Sequence, residues 1–233
     1  MITASHIKKH FGPVTALDGV SLEIALGERI AFVGANGSGK TTLLRAILGL
    51  VRFEGKITIL GCDVTREPEV ALRSVAYIPQ IAPPIDAPVS EVVRAHAALR
   101  GLSDDAIWVR ARRLSLAPDA CLKKRFRDLS GGTKQKLLAA MALATPAPVL
   151  VCDEPTANLD GDARASFFEQ LDERPSTGIV VLCSHRVEEV RQMVTRVVEL
   201  GEGRIVRDAP LAEALKHSRV LAGTDTRLRL VMT

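Results

Sequence analysis

The stretch that decides the fold is Gly34-Ala35-Asn36-Gly37-Ser38-Gly39-Lys40-Thr41. It fits G-x-x-x-x-G-K-[ST] at every position. The apolar run Arg29–Val33 leads into it, and Thr41–Leu50 behind it reads as a helix. Strand, glycine-rich turn and helix form the context this pattern needs. The glycines let successive backbone N–H groups point inward around phosphate oxygens, and the helix N-terminus adds positive potential. The spacing predicts that Lys40 reaches the β- and γ-phosphates of a nucleotide as a point charge and that Thr41 ligates Mg²⁺. Residues Gly34 through Thr42 are therefore the first candidate nucleotide contacts. The competing reading is a turn that merely joins strand to helix; the complete match in its context weighs against it. The loop alone does not separate a kinase, a GTPase, a helicase or a transporter ATPase.

Further along, Val149-Leu-Val-Cys-Asp153-Glu154 is an apolar strand ending in two acids. Asp153 is placed to hold Mg²⁺ through water, and Glu154 to polarise an attacking water as general base. Paired acids at a strand end are also an ordinary loop start, and it is the phosphate loop that turns them into a site. Other strand-like runs are Lys56–Leu60, Val75–Ile78 and Gly178–Cys183, with a hairpin of Arg196–Leu200 and Arg204–Arg207 around Gly201–Gly203. Apolar runs without alternation are expected of strands buried on both faces, so the chain reads as α/β with a mostly parallel sheet. The middle differs. No strand signal lies between Ile81 and Asp128, a stretch holding Pro83, Pro84 and Pro88. Ser90 is expected to cap a helix to about Arg100, and Ser103 another to about Leu116. A helical subdomain of about residues 81–145 inserted in an α/β core follows from this pattern, with one domain over 1–217 and a tail, 218–233, without assignment.

The bulk composition sets limits. The chain has 233 residues, 47% of them hydrophobic, enough for a sizeable core. The net charge of +4 is mild and aromatics are 3%, which together argue against nucleic acid as a partner. Cys62, Cys121, Cys152 and Cys183 include no C-x-x-C pair, so neither a disulfide framework nor a zinc site is expected, and a reducing compartment is. The opening MITASHIKKH lacks the apolar core of a signal peptide, and the longest uncharged run, Leu137–Cys152, is broken by Pro146 and Pro148. The expectation is a soluble protein that meets a membrane only through a partner.

At Leu129-Ser130-Gly131-Gly132-Thr133-Lys134-Gln135 the pattern becomes specific. It resembles the signature of the ATP-binding cassette (ABC) ATPases. The other elements of that family follow in order over roughly residues 2 to 215. Phe11, ahead of Gly12 and Ala16-Leu17-Asp18, resembles the aromatic that stacks on adenine. Gln80 matches the lid-loop glutamine, a contact to Mg²⁺ and the attacking water. Asp153-Glu154-Pro155-Thr156 and Asn158-Leu159-Asp160 match the acidic strand end and the loop behind it, and His185 matches the switch histidine at the γ-phosphate. Asp160 also suits a plain helix N-cap for Gly161 onward, and the two roles are compatible. The resemblance implies a P-loop NTPase core with an N-terminal antiparallel β part. It implies ATP and Mg²⁺ as ligands, with Ser130, Gly131, Gly132 and Gln135 added to the nucleotide contacts. It also implies a head-to-tail dimer, most simply a homodimer, in which Ser130 clamps the γ-phosphate held by the other subunit.

Three kinds of ABC protein compete: a transporter ATPase docked on a membrane subunit, an ATPase of DNA repair or chromosome structure, and a translation factor. One cassette, no heptad run and no cysteine cluster favour the first. Ala76-Tyr-Ile-Pro-Gln80-Ile81-Ala82-Pro83 and Gly131-Gly-Thr-Lys-Gln-Lys136 resemble the ATPase of the copper-processing system that matures nitrous oxide reductase. That resemblance implies an ABC-2-type integral membrane permease, a periplasmic partner, and a place on the cytoplasmic face of the inner membrane. A general ABC-2-type exporter ATPase is the alternative.

Overall fold

Alternating apolar and polar residues build the first sheet. In β1 (Ile2–Phe11) the side chains of Ile2, Ala4 and Ile7 turn inward, and in β2 (Val14–Ile24) those of Val20, Leu22 and Ile24 do so. The two strands pair antiparallel from Ile2 opposite Ile24 to Phe11 opposite Val14, with an irregularity between Ala4 and Ile7 where His6 takes a φ of 52°. The computed structural model describes residues 1–184 and 187–217. They fall into two units, Met1–Ser74 with the chain from Thr177 onward, and Val75–Ser176.

In the first unit, β3 (Arg29–Val33) runs into α1 (Lys40–Ile47) through the glycine-rich loop. The helix expected to reach Leu50 stops at Ile47. Gly49 takes a φ of 64°, and the Leu50 N–H turns back to the Arg45 carbonyl at 2.8 Å. β4 (Glu54–Ile59) and the short β5 (Cys62–Asp63) complete the antiparallel sheet in the order β2-β1-β4-β5, and α2 (Pro68–Arg73) follows.

The second unit opens with β6 (Val75–Ile78) and then becomes helical: α3 (Val89–Arg100), α4 (Asp104–Arg113) and α5 (Gly131–Ala144). Between Ile81 and Asp128 it has no strand, only an isolated bridge of Pro88 with Arg125. Ser103 caps α4 by accepting the Ala106 N–H, and Ser130 caps α5 through Thr133. Ser90 does not cap α3. Pro88 occupies that position without a side-chain bond, and the Val89 and Ser90 N–H groups find the Lys124 and Leu122 carbonyls instead. α4 ends at Arg113 rather than Leu116, because Ser115 turns left-handed at a φ of 58°. β7 (Val149–Asp153), buried throughout, pairs parallel with β6, and α6 (Gly161–Asp172) begins behind the Asp160 cap.

The chain then returns to the first unit as β8 (Ile179–Cys183), α7 (Val187–Met193), β9 (Arg196–Gly201), β10 (Arg204–Pro210) and α8 (Leu211–His217). β3 lies between β8 and β9, parallel to both, and β10 pairs antiparallel with β9. The hairpin arm expected to end at Arg207 continues to Pro210. Arg196 ties the two arms, bonding Asp208 at 2.6 Å and Glu28 at 3.1 Å. Cys152 and Cys183 are small buried strand residues, as expected of reduced cysteines in apolar runs. The tail after His217 lies outside the described residues.

Candidate functional site

The glycine-rich loop leaves the C-terminal edge of β3, the edge at which open α/β sheets bind ligands. Gly34, Gly37 and Gly39 have φ of 144°, 80° and 104°. A Cβ on Gly34 would lie 2.3 Å from the Leu200 carbonyl oxygen, and one on Gly39 2.5 Å from that of Ala16. Gly37 has open space, so its glycine answers to the left-handed backbone alone. The loop is buttressed from outside: the Gly203 N–H donates to the Ser38 carbonyl at 3.1 Å and the Asp18 N–H to the Gly203 carbonyl at 2.9 Å. This support from the β9–β10 turn has no local signal in the sequence, where Gly201–Gly203 marks only a hairpin. Its close approach to Ala16 is what demands glycine at 203.

The loop suits an anion on three counts. The Lys40 ammonium donates to the Gly34 and Ala35 carbonyls at 2.8 and 2.9 Å, so its charge sits over the loop. Gly39 caps α1 without any side-chain bond, and the first turn of α1, with Thr41 and Thr42, carries no acid. The Ser38 hydroxyl is buried, at 5% exposure for the residue, with no hydrogen-bond partner among the described residues. Triphosphate oxygens are the chemistry such a cradle fits. Ala35 and Asn36 form its exposed rim.

Phe11 ends β1 in the hairpin whose second strand passes Gly39 at Ala16. It is 51% exposed, unusual for a phenylalanine and suited to stacking on a base. Lys9 Nζ sits 4.7 Å from its ring centroid, a contact with no mark in the sequence.

In the second unit, the β6–β7 register sets Ile78 opposite Cys152. Gln80 and Glu154 each lie two residues further on, so both emerge at one sheet edge, with Asp153 closing β7. Asp153 and Glu154 are buried, and Glu154 has a φ of 50° at 8% exposure. A non-glycine residue in that region costs of order 1–3 kcal/mol, and such strain gathers at functional sites. Thr41, Asp153 and Gln80 carry the hard oxygen donors that Mg²⁺ takes, though they are divided between the two units. His185 lies outside the described residues; β8, which precedes it, ends with Cys183 opposite Phe32.

The third element is the start of α5. Ser130 is exposed, its Oγ accepting the Thr133 N–H at 3.2 Å and lying 2.8 Å from the Thr133 hydroxyl. Gly131 has open space, whereas a Cβ on Gly132 would come 3.0 Å from the Asn158 carbonyl oxygen. Asp160 accepts the Ala163 N–H at 2.9 Å and pairs with Lys136 at 2.6 Å. Lys136, then the Ala163 N–H, hold its carboxyl below the ordinary aspartate value. Ser130, Gly132, Lys136, Asn158 and Asp160 line a cavity of about 630 Å³. Gln135, expected among the nucleotide contacts, is a correction. It is 2% exposed, and its Nε2 donates to the Pro155 carbonyl at 3.0 Å, tying α5 to the turn behind β7. At the second helical turn its side chain faces inward.

Comparison with known proteins places this geometry. The sequence pattern of the ABC transporter family matches residues 17–157. A Nod factor export ATP-binding protein I of Paraburkholderia xenovorans is 36% identical over 88% of this chain and 70% of its own length. A zinc import ATP-binding protein of Jannaschia sp. is 34% identical over 92% and 88% respectively. Among solved structures, an ATP-binding subunit of an ABC transporter superposes with a TM-score of 0.82 at 26% identity, covering 93% of this chain and 92% of that one. A dimeric bacterial ABC transporter cassette shares the fold with a TM-score of 0.78 at 24% identity, over 91% and 99%.

Proposed function

Because the chain belongs to the ABC transporter family as an ATP-binding, ATP-hydrolysing subunit, we propose that it works as a head-to-tail homodimer closing on two ATP–Mg²⁺ and driving a separate membrane permease. The observation that carries this reading is a divided site. The phosphate loop and Phe11 provide a nucleotide cradle in one unit, while Ser130 and the α5 N-terminus provide a second, exposed anion-binding helix start in the other. Each subunit thus offers one cradle and one clamp, and a two-fold dimer pairs them without leaving either over.

In this reading Phe11 stacks on adenine, the Gly34–Thr42 backbone and Lys40 bind the phosphates, and Thr41, Asp153 and Gln80 would hold Mg²⁺. Bound there, the metal would supply charge neutralisation to the phosphates. Glu154 orients water and takes its proton as the oxygen attacks the γ-phosphorus, leaving ADP and phosphate. Gln80 helps place that water, and His185 contacts the γ-phosphate. Ser130, whose N-cap Oγ accepts from the Thr133 N–H, turns its hydroxyl to a phosphate oxygen on the partner when the dimer closes. In this reading the permease is a separate protein, and the chain sits on the cytoplasmic face of the inner membrane. No helix among the described residues is long and apolar enough to cross a membrane.

Glu154→Gln tests the chemistry. It keeps nucleotide binding, slows hydrolysis by about 10²–10⁴, and traps the ATP-bound dimer; wild-type turnover in this variant contradicts the assignment. Export is supported by the similarity to the Nod factor export protein, and an ABC-2-type permease by the resemblance of residues 76–83 and 131–136 alone. The narrower reading, copper processing for nitrous oxide reductase with a periplasmic partner, rests on residues 76–83 and 131–136. The relatives are named instead for Nod factor export and for zinc, methionine or sulfate import. Normal copper loading of nitrous oxide reductase in a deletion strain rules the narrower reading out.

A further inference from the structure

The loop from β6 to α3 and the run before Ser130 are zipped together. The Phe126 N–H donates to the Ala87 carbonyl at 2.9 Å, and the Val89 N–H to the Lys124 carbonyl at 2.9 Å, around the single bridge of Pro88 with Arg125. Asp86 closes this ladder with its side chain. One carboxylate oxygen accepts from Arg127 Nη1 at 2.8 Å and the other from Arg125 Nη1, which also reaches the Asp86 backbone carbonyl at 3.1 Å. The Arg127 carbonyl accepts in turn from Lys134 Nζ at 2.7 Å, and Lys134 lies at the start of α5. Hydrogen bonds therefore run without a break from the loop behind Gln80 to the helix that presents Ser130.

The loop is built to be stiff. Pro83, Pro84 and Pro88 fix its backbone, and the Ile85 N–H closes a tight turn on the Pro83 carbonyl at 2.9 Å. At the far end Phe126 is fully buried and anchors the run. Exposed ion pairs taken singly contribute little. Here one carboxylate faces two guanidiniums, and removing it leaves Arg125 and Arg127 adjacent with their shared counter-charge gone. The only other ion pair of Arg127 among the described residues is with its neighbour Asp128 at 3.6 Å.

We propose that Asp86 is a positioning residue for the Ser130 clamp. It holds residues 124–127 against the loop behind Gln80 and so fixes where α5 presents its N-terminus to the partner's nucleotide. The proposal rests on the sandwich dimer described above, and its effect falls on dimer closure, not on nucleotide binding by one subunit.

The test measures ATP–Mg²⁺-driven dimerisation by sedimentation velocity in the full chain carrying Glu154→Gln, with and without Asp86→Asn. Asp86→Asn weakens dimerisation about tenfold, as expected for two charge-assisted contacts. Nucleotide affinity of the single subunit, measured with fluorescent ATP on Ser130→Arg protein, stays within about twofold, and Asp86→Glu recovers most of the loss. Raising salt from about 0.05 to 0.5 M erodes the parent's dimerisation more than that of Asp86→Asn. Arg127→Gln added to Asp86→Asn costs little more, since both break one network. Dimerisation of Asp86→Asn equal to the parent's overturns the proposal, as does an equal loss of single-subunit nucleotide affinity. A Glu154→Gln parent that stays monomeric with ATP overturns the sandwich dimer itself, an outcome visible before any Asp86 variant is made.

Discussion

The starts of α1 and α5 are both helix N-termini offered to an anion, and they are made by opposite means. At α1 the backbone does the work: Gly39 caps without a side chain, and contacts with Ala16 and Leu200 exclude any Cβ at Gly39 and Gly34. At α5 a side chain does it: Ser130 spends its acceptor on the Thr133 N–H and has open space around Gly131. The first start is enclosed and carries its own ammonium. The second is exposed, already capped, and held in place by Lys134, Asp86 and their arginine partners. On the proposed function, the difference means that one helix start binds nucleotide alone, whereas the other adds to a triphosphate that something else already holds.

Substitutions at the two starts should therefore differ in kind. Lys40→Ala has the largest effect, since the loop loses its charged donor: single-subunit ATP affinity falls about 10- to 100-fold by titration, and unchanged affinity breaks the comparison at once. Gly39→Ala comes next. Its Cβ would sit 2.5 Å from the Ala16 carbonyl oxygen in a left-handed backbone. A stability loss of at least about 1–3 kcal/mol, with weaker nucleotide binding, is expected in thermal melts and titration. The same change at Gly131, with nothing near it, should leave nucleotide binding alone.

Ser130→Ala is smaller, about 1 kcal/mol of helix stability from the lost cap, seen as a lower melting temperature with single-subunit affinity intact. The smallest effect is at Asp160. Lys136 and the Ala163 N–H depress its carboxyl below the ordinary 3.8. The stabilisation it gives is then complete above that value and disappears as pH falls through the depressed one. Between pH 6 and 8 it contributes no pH dependence. A carboxyl titration followed by NMR should show a midpoint below 3.8; one at or above it would break the Lys136–Asp160 contact as drawn.

The sequence was most legible where one local rule decided the outcome. β6 and β7 begin and end where their apolar runs do, and Ser103, Ser130 and Asp160 cap the helices behind them. The phosphate loop was legible because its chemistry is written in consecutive residues. What stayed hidden depends on distant neighbours. Ser90 is a good cap by type, but Lys124 and Leu122 supply carbonyls that start α3 at Val89 without it. Gln135 matches a nucleotide contact by position, yet the turn behind β7 draws it inward. Lys9 on Phe11, Gly203 under the loop and Asp86 on its two arginines carry no local signal at all.

The central claim is that each phosphate loop is completed by Ser130 of another subunit. The most direct measurement mixes two inactive proteins, Lys40→Ala and Ser130→Arg, and follows ATP hydrolysis. In a head-to-tail dimer a mixed pair places both lesions at one site and leaves the other site intact. Equal mixing then restores activity towards about a quarter of the wild-type rate, from half the dimers with one of two sites working. A mixture no more active than its separate components, or full activity in Ser130→Arg alone, would contradict the shared site.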